Sequence, residues 1–414
     1  MIDPSTNGRC LVGWLVIFKT VYFVFLSAAL VLWPTFERDN IVRSSRQDWT
    51  SDGRLTFGSH FVAWDTGNYL FLSEEGYRRG RAECAFYPLY PLFIRWVSSV
   101  IGGHDVLVGM ILANLFSLAA WVLFFKMAAH RYGEPAAVLA LLLLLTFPGS
   151  LFFQFIYTES LFFLLLMLFC LALEREQMVL ALITAFLLPL TRVVGIFCVF
   201  PLLWHLFFRS PPSWWTNMAN RPGWAGKIVR VLGLRNGESP APNSSDWGGM
   251  NAVCLVLAPF LGWATYFLLM GKWTGNAIEG FEAQKQFGGV QSIHARFDPV
   301  QFITQLFNPT DWHEFRGSLL DRCTFVLMIY SFPLIWKLDK SWCVWVLFLG
   351  VVPAVGGGFT SYTRFASVVF PLFITLAVFL RKPGMRWLRW LTLTVFVALH
   401  LILVWRFVNF RWAG

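Results

Sequence analysis

Residues 11–33 read LVGWLVIFKTVYFVFLSAALVLW, an almost uninterrupted apolar stretch near the beginning of the chain. A helix that crosses a membrane needs about 20 mostly apolar residues, and this stretch is long enough to do so. No small-residue cleavage site follows it, so the pattern favours a retained membrane-spanning helix over a cleaved signal peptide. The fold class therefore depends on how often such stretches recur.

Further apolar stretches follow along the whole chain. They cover residues 106–129, 136–147, 152–173, 178–190, 193–208, 251–270, 319–336, 341–355, 365–380 and 388–408. Together with the first stretch they predict an all-α integral membrane protein, in which residues 1–414 form a single membrane domain of about 11 transmembrane helices. The stretches 136–147 and 178–190 are short, and Pro148 and Pro189 at their ends indicate breaks in the helices.

The composition agrees with a membrane protein. Hydrophobic residues make up 57% of the chain and charged residues only 14%, whereas an average soluble domain is about 25% charged. These values exclude a soluble enzyme, a disordered chain and a nucleic-acid-binding domain, so no nucleic-acid partner is expected. The net charge of +10 is assigned to cytoplasmic loops that face anionic lipid. The 7 Cys are too few for a disulfide scaffold, and no Cys/His spacing or Gly-rich loop indicates a metal or a nucleotide-type cofactor.

Lys and Arg residues in the short loops orient the predicted bundle. They lie on one side of it, at Lys126, Arg131, Arg175, Lys337, Lys340, Arg381, Lys382, Arg386 and Arg389. The positive-inside rule places this side in the cytoplasm, with the N-terminus inside and the C-terminus outside. Residues 209–250, which are rich in Pro and Gly, are then a cytoplasmic linker loop, and residues 34–105 and 271–318 are the first and second outer loops.

The first outer loop has an amphipathic pattern. Apolar and polar residues alternate between Phe61 and Tyr77, and the segment from Leu89 to Ile101 repeats this character. Such a pattern is typical of helices that lie on a membrane surface. We therefore expect interfacial helices in this loop.

Ionisable residues at the predicted outer helix ends share one face of the membrane. They are Asp65 and Glu83 in the first outer loop, Glu159 about one turn into the fourth span, Arg192 between the fifth and sixth spans, and Arg364 at the start of the tenth. Ionisable residues within or beside a span are functional candidates. Their one-sided placement predicts a site that opens to the outside or to a lumen.

Each of these residues also has a purely structural interpretation. Asp65 can cap the helix that follows it, and Glu83 can be a solvated loop charge. Glu159 and Arg192 can form a buried ion pair at the membrane edge, and Arg364 can snorkel to the surface. The residue types alone leave these alternatives open.

Several motifs resemble those of the PIG-V family, which supplies the second mannosyltransferase of GPI-anchor assembly and includes similar prokaryotic membrane proteins. The matching stretches, in chain order, are Trp64-Asp65, Gly76-Tyr77, Ala85-Phe86-Tyr87-Pro88-Leu89-Tyr90-Pro91, Tyr157-Thr158-Glu159-Ser160-Leu161-Phe162, Thr191-Arg192-Val193-Val194-Gly195 and Thr363-Arg364-Phe365. They agree in order and spacing over residues 64–371. Val193 and Val194 replace the Ser and Asn of the family's Arg-Ser-Asn-Gly element, and the compact chain resembles the prokaryotic members.

The resemblance implies a GT-C type helical bundle whose first outer loop carries an essential acid. It implies an inverting mannosyltransferase that takes a sugar from a polyprenyl (dolichyl) phosphate donor, without a further cofactor or a required metal. The acceptor would be a lipid-linked glycan or another acceptor beside the membrane lipid. The site would lie on the periplasmic side of a prokaryotic plasma membrane or the lumenal side of the endoplasmic reticulum membrane.

The same resemblance, combined with the chemistry of the transfer, suggests a role for each candidate residue. Asp65 is the catalytic base that takes the proton of the attacking hydroxyl. Arg192 and Arg364 bind the leaving phosphate. The remaining candidates bind the sugar or the acceptor, and they are Glu83, Glu159, Gln284, Trp64 and Tyr87.

Two other functions are compatible with a helical membrane bundle. A transporter or flippase of a lipid-linked substrate would carry charges through the depth of the membrane and internal repeat symmetry. Here the charges lie at one face, and no repeat is evident in the sequence. A non-catalytic subunit of a membrane complex would tolerate the replacement of Asp65.

Overall fold

The computed structural model describes residues 4–33, 57–208, 223–224, 250–287, 298–315 and 317–414. Within these ranges all regular structure is helical, apart from one isolated bridge between Asp311 and Ser318. The predicted all-α class is therefore confirmed. Nearly all of the predicted linker 209–250 lies outside the described residues, as do parts of both predicted outer loops.

The described residues form 17 α-helices. In chain order they are α1 (Pro4–Leu32), α2 (Asp65–Glu74), α3 (Leu89–Ile101), α4 (Asp105–Tyr132), α5 (Glu134–Thr146), α6 (Glu159–Glu174), α7 (Met178–Thr191), α8 (Val199–Phe208), α9 (Met250–Thr274), α10 (Glu279–Gln284), α11 (Pro299–Phe307), α12 (Leu319–Leu338), α13 (Lys340–Val346), α14 (Val352–Gly357), α15 (Tyr362–Ala366), α16 (Phe370–Leu380) and α17 (Arg386–Val408). Short 3-10 helices lie at Phe57–Phe61, Ala82–Ala85, Pro148–Phe153, Val193–Cys198 and Lys285–Phe287, and a π-helical turn at Leu347–Val351 joins α13 to α14.

Five of the described helices are long and apolar enough to cross a membrane, namely α1, α4, α9, α12 and α17. Shorter apolar helices accompany them, among them α3, α5, α7 and α16. The chain is an integral membrane protein built from these long and short apolar helices. Each of the predicted apolar stretches contains a helix. The number of crossings, about 11 in the sequence, stays a prediction.

The predicted span 152–173 is wrong in its first part. Phe147 adopts an extended ψ of 136° before Pro148, because proline disfavours the α conformation in the residue that precedes it. A 3-10 helix follows, and α6 begins only at Glu159. Glu159 is therefore the first residue of its helix and does not lie one turn into it. The predicted span 365–380 is also interrupted, between α15 and α16.

The break at Pro148 allows the chain to approach α15 closely. A Cβ atom on Gly149 would overlap the carbonyl group of Thr363, so a residue without a side chain is required at this position. Thr363 directly precedes Arg364. The packing of the 3-10 helix against α15 therefore helps to set the position of a candidate site residue.

The prediction of an interfacial helix is wrong for α2. An interfacial helix buries an apolar face and leaves its polar residues in water. In α2 the polar residues Thr66, Asn68 and Ser73 are buried together with Tyr69 and Leu70. The helix therefore packs inside the protein, against α3 and α4. In contrast, α3 buries only part of its surface and exposes apolar side chains, as a membrane-facing helix does.

Helix α6 lies at the centre of the bundle. Most of its residues are buried, including the polar ones at its start, and it packs against α4 and α7. A helix that is hydrophobic all round is typical of such a position. The large apolar side chains that stay exposed belong mainly to the outer helices, as Phe25 of α1 and Leu268 of α9 do.

The two ends of α6 carry separate charge clusters. At its last residue, Glu174 forms an ion pair with Arg131, which also binds Asp339 at 2.7 Å. These residues belong to the side that the sequence assigns to the cytoplasm. At its first residue, Glu159 meets the candidate site residues. Because each helical residue advances about 1.5 Å, the two ends are about 22 Å apart.

Candidate functional site

Four of the predicted site residues form one connected ion cluster. Arg364 donates from Nη1 to Oδ2 of Asp65 at 2.5 Å and from Nε to Oε1 of Glu159. Arg192 donates from Nη1 to the same Oε1 of Glu159 at 2.5 Å. The sequence predicts these residues on one face of the membrane, and the structure brings them together from four distant parts of the chain. We call Asp65, Glu159, Arg192 and Arg364 the ion cluster.

Each member of the ion cluster lies at a helix end or on a short helix. Asp65 is the first residue of α2, and Glu159 is the first residue of α6. Arg192 follows the last residue of α7, and Arg364 lies in the short helix α15. Helix ends deliver charged side chains without placing them in the middle of an apolar span.

The members of the ion cluster differ in exposure. The Glu159 side chain is 0% exposed, Arg364 is 8% and Arg192 is 13% exposed, whereas Asp65 is 30% exposed. Among the described residues, Oδ1 of Asp65 has no hydrogen-bond partner, because only Oδ2 binds Arg364. Asp65 is therefore the acid of the cluster that a substrate can reach.

The structure decides between several of the interpretations that the sequence leaves open. The carboxylate of Asp65 does not cap α2, whose N-cap position is Trp64, without a side-chain hydrogen bond. Glu159 and Arg192 do form a buried ion pair, which Arg364 extends. Arg364 is buried, so the snorkelling interpretation is wrong.

Tyr157 contacts two members of the ion cluster, although no role was predicted for it from the sequence. Its hydroxyl group accepts a hydrogen bond from the backbone N–H of Asp65 at 3.2 Å, and it donates to the Ala63 carbonyl at 3.4 Å. Its ring centroid lies 4.5 Å from the Arg364 guanidinium, a cation–π contact. Tyr157 thus contacts both partners of the Asp65–Arg364 pair.

Tyr69 connects the ion cluster to the rest of the first outer loop. Its hydroxyl group lies 3.3 Å from that of Thr158, next to Glu159. Burial raises the pKa of Tyr69 to about 12, so the hydroxyl stays protonated and neutral near pH 7. Its ring packs edge to face on Phe86 at 5.1 Å.

Three of the other four predicted binding residues, all except Trp64, form a second group beyond Phe86. Glu83 is buried and lies 3.4 Å from Nε of Arg81. Gln284 donates from Nε2 to the Ala85 carbonyl at 3.1 Å. Tyr87 stacks on Tyr266 with ring centroids 4.7 Å apart. These side chains hold α10 and α9 against the first outer loop, and the structure does not bring them into the ion cluster.

Asp321 is a buried acid that sequence reasoning missed. Its Oδ1 accepts the backbone N–H of Thr363 at 2.6 Å, one residue before Arg364. The residues before α15 are strained, since Phe359 and Ser361 have φ values of 66° and 57°. Asp321 therefore holds the start of a helix that carries Arg364. The feature of the sequence that indicates it is an acidic residue two positions after the start of the predicted span 319–336.

Lys19 is a second residue that sequence reasoning missed, and it lies in the middle of α1. Its Nζ donates to Asn114 Oδ1 at 2.8 Å, Ser117 Oγ at 2.9 Å and Gln154 Oε1 at 2.8 Å. Ser117 donates its own proton to a carbonyl, of Ala113 or Asn114, so towards Lys19 it can only accept. The three acceptors match the three N–H donors of a lysine ammonium group. The available signal was a single charge within the first apolar stretch.

The site shows no evidence of a metal ligand set. Among the residues that the structure describes, no group of three or more His, Cys, Asp or Glu side chains could hold a metal ion. A cavity lined by Arg131, Glu174, Trp204 and Trp342 lies at the opposite end of α6 and contains no member of the ion cluster.

Comparison with protein families matches residues 14–207 to the family model described as mannosyltransferase (PIG-V). The match includes Asp65, Glu159 and Arg192, and it stops before Arg364. It confirms the resemblance that the motifs indicate. No curated protein matches the chain significantly.

Solved structures of an archaeal oligosaccharyltransferase share a distant likeness with the chain. The AglB protein from Archaeoglobus fulgidus, in complex with an inhibitory peptide and a dolichol-phosphate, is 13% identical with a TM-score of 0.42, over 88% of this chain and 52% of that one. The Archaeoglobus fulgidus oligosaccharyltransferase tethered to an acceptor peptide is 12% identical with a TM-score of 0.45, over 97% of this chain and 55% of that one. The chain thus spans about half the length of these proteins.

Proposed function

We propose, from the match of residues 14–207 to the family model described as mannosyltransferase (PIG-V), that this chain is a mannosyltransferase that uses a polyprenyl-phosphate sugar as donor. The transfer inverts the anomeric carbon and takes place in a GT-C type bundle on the periplasmic or lumenal side. The acceptor is a lipid-linked glycan or another hydroxyl-bearing molecule. The membrane is a prokaryotic plasma membrane or the endoplasmic reticulum membrane.

One observation carries this proposal. A partly exposed carboxylate with one free oxygen, Asp65, lies directly beside a pair of buried guanidinium groups, Arg364 and Arg192. An inverting transfer from a phosphate ester needs this combination, because a base must take a proton while cations stabilise the leaving phosphate.

The chemical step follows from this arrangement. The acceptor oxygen attacks the anomeric carbon, and a new C–O bond forms on the face opposite the phosphate. The bond between the anomeric carbon and the phosphate oxygen breaks, and the lipid phosphate leaves with the electron pair. The proton of the attacking hydroxyl passes to Oδ1 of Asp65, and it is later released to the phosphate or to water.

Arg192 and Arg364 keep unused N–H groups for the leaving phosphate. Within the described part of the chain, Arg192 shows one hydrogen bond, to Glu159, out of its five possible donors. The ion cluster contains two carboxylate groups and two guanidinium groups, so their formal charges cancel. The guanidinium donors are already oriented, and they stabilise the charge that develops on the leaving phosphate. Glu159 serves this step by holding both guanidinium groups in place.

We infer that the second group acts on the sugar or the acceptor less directly. Glu83, Tyr87 and Gln284 are engaged with protein partners, so they shape the wall of the first outer loop beside α10. Asp65 is the stronger candidate for the base because its side chain is 30% exposed and that of Glu83 only 2%.

A transporter or flippase remains the alternative function. That function predicts charges through the depth of the membrane, and Lys19 is such a charge. However, its three N–H groups are all occupied by acceptors from α4 and from Gln154. An ammonium group whose three N–H donors are all occupied has no donor left for a substrate that crosses the membrane.

The test is transfer of labelled mannose from a polyprenyl phosphate by the purified full-length protein. We expect the wild type and Glu74→Gln to transfer mannose, and Asp65→Asn to lose transfer. Glu74 is the matched control, because it is an exposed acid at the other end of α2. The proposal would be contradicted if the wild type transferred no mannose, or if Asp65→Asn transferred it as fast as the wild type.

A further inference from the structure

Three aromatic side chains form a continuous surface beside Asp65. Trp64 packs edge to face on Trp412, with ring centroids 5.1 Å apart, and Trp412 packs in the same way on Phe315 at 4.9 Å. They come from the residue before α2, the segment before α12 and the segment after α17. We call Trp64, Trp412 and Phe315 the aromatic trio.

The backbone at Trp64 is strained. Its φ of 57° and ψ of −123° lie in a region that residues other than glycine rarely adopt, and such a conformation costs about 1–3 kcal/mol. The surrounding structure holds it in place, because the indole Nε1 donates to the Arg411 carbonyl at 3.1 Å. Strain of this kind is concentrated at functional sites, and here it affects the residue directly before Asp65.

The segment that carries Trp412 is also fixed in place. Phe410 has a positive φ of 59°, and the Trp412 carbonyl accepts a hydrogen bond from Nε of Arg406 at 2.7 Å. Arg406 in turn binds Glu314, the neighbour of Phe315, at 2.7 Å. The trio is therefore a rigid surface, although Phe315 is 42% exposed and the two indoles are half-buried.

The chemistry around the trio fits a sugar ring. A pyranose has a face of C–H bonds, which packs on aromatic rings, and a rim of hydroxyl groups, which bind carboxylates. The trio supplies the aromatic surface, and Asp65, the residue that follows Trp64, supplies a carboxylate whose Oδ1 has no hydrogen-bond partner among the described residues. An aliphatic lipid chain would match the rings but would leave the carboxylate without a partner.

We propose that the aromatic trio is the subsite for the sugar ring of the acceptor. This proposal rests on the proposed function, because Asp65 takes the proton of the acceptor hydroxyl there. The acceptor is assigned to the trio because the donor phosphate is assigned to Arg192 and Arg364, which share Glu159. The attacking hydroxyl then reaches Oδ1 of Asp65 from the trio.

The experiment measures sugar binding and transfer separately, on the full-length protein in detergent. Binding of methyl α-mannopyranoside is measured by saturation-transfer NMR, and transfer is measured with octyl α-mannopyranoside as acceptor and polyprenyl phosphate mannose as donor. The variants are Trp412→Ala and Phe315→Leu. Trp387→Ala is the matched control, because Trp387 is 66% exposed at the other end of α17.

We expect Trp412→Ala to raise the Kd of methyl α-mannopyranoside and the KM of octyl α-mannopyranoside about tenfold. Phe315→Leu keeps the apolar volume but loses the ring, so a rise of about threefold is expected. The KM for the donor stays unchanged in both, and Trp387→Ala behaves as the wild type. If Trp412→Ala does not fold, the exposed Phe315→Leu variant decides the question.

Three outcomes separate this proposal from its premise. Unchanged sugar affinity in the variants that fold overturns the subsite. A raised KM for the donor with unchanged sugar binding also overturns it, because the trio would then contact the lipid. If the wild type transfers no mannose but its sugar binding still depends on the trio, the subsite is supported and the proposed function is contradicted.

Discussion

Arg364 and Asp65 are joined by an ion pair at 2.5 Å, although 299 residues of sequence separate them. The same guanidinium group binds Glu159 through Nε, so it connects the exposed acid of the site to the buried one. A change in any of these three residues therefore alters the surroundings of the other two.

Asp65→Asn is expected to lower turnover by a factor of about 100 to 10,000, because the shape is kept and the proton acceptor is lost. Asp65→Glu moves the carboxylate by one methylene, and a misplacement of about 1 Å costs on the order of 100-fold. Radiolabel transfer at saturating substrate checks both, and thermal unfolding in detergent checks that the fold is kept. Near wild-type turnover in Asp65→Asn, together with an inactive Glu83→Gln, would make Glu83 the base.

Arg364→Lys is expected to lower kcat/KM for the donor about 10- to 100-fold. A single ammonium group cannot reproduce the planar fork that binds Asp65 and Glu159 together, and a hydrogen bond to a charged group contributes about 1.5–3 kcal/mol. Arg192→Lys is the comparison, with a smaller expected effect, because Arg192 has one such bond. Both Arg→Ala variants are expected to weaken donor use more than acceptor use. Unchanged donor dependence in both would exclude these residues from the phosphate site.

Glu159→Gln is expected to destabilise the protein by about 3–5 kcal/mol, because two buried guanidinium groups lose their shared counter-ion. Glu174→Gln at the other end of α6 is the matched control. The Glu174 side chain is 20% exposed, and Arg131 keeps Asp339 as a second counter-ion, so a smaller loss is expected. Thermal and denaturant unfolding of both variants in the same detergent measure the difference. Equal losses at the two ends would mean that the ion cluster has no special structural role.

Gly149→Ala is expected to destabilise the protein and to lower turnover about 100-fold in the fraction that folds. The new methyl group would push against the Thr363 carbonyl and displace Arg364, which follows it. Gly13→Ala is the control, since a Cβ on Gly13 meets no atom within 4 Å and alanine favours a helix. Steady-state transfer by both variants is compared with the wild type. Full activity in Gly149→Ala would show that α15 can move without loss of function.

Lys19→Met is expected to destabilise the protein by about 3 kcal/mol or more, because three buried acceptors lose their donor. The neighbouring variant Thr20→Val is the control, since Thr20 is exposed and bonds only within its own helix. Thermal unfolding in detergent measures both changes. A Lys19→Met protein as stable as Thr20→Val would contradict the inferred role of Lys19 as a link between α1 and α4.

The sequence allowed the helices to be predicted better than their interruptions. The span 152–173 was predicted as continuous because Phe152, Phe153 and Phe155 keep the stretch apolar, and hydropathy does not respond to backbone conformation. The gathering of Asp65, Glu159, Arg192 and Arg364 could be predicted, because orientation rules place helix ends on a common face.

Asp321 and Tyr157 could not be predicted in the same way. Asp321 acts on the N–H of Thr363, 42 residues further along the chain, and no local pattern encodes that contact. Tyr157 belongs to a recognised motif, but its contacts with Asp65 and Arg364 depend on the turn that interrupts the predicted span. Such contacts arise only when the helices are packed.

The length of α6 has a consequence for the depth of the ion cluster in the bilayer. Its two charged ends are about 22 Å apart, whereas the hydrocarbon core of a typical bilayer is about 30 Å thick. If the Glu174 end lies at one interface, Glu159 lies about 8 Å below the other. Because α6 is buried in the bundle, protein and not lipid fills this depth, so the ion cluster lies in a recess of the protein below that interface. The phosphate of a lipid donor would have to descend by this distance from the headgroup layer to reach Arg192 and Arg364.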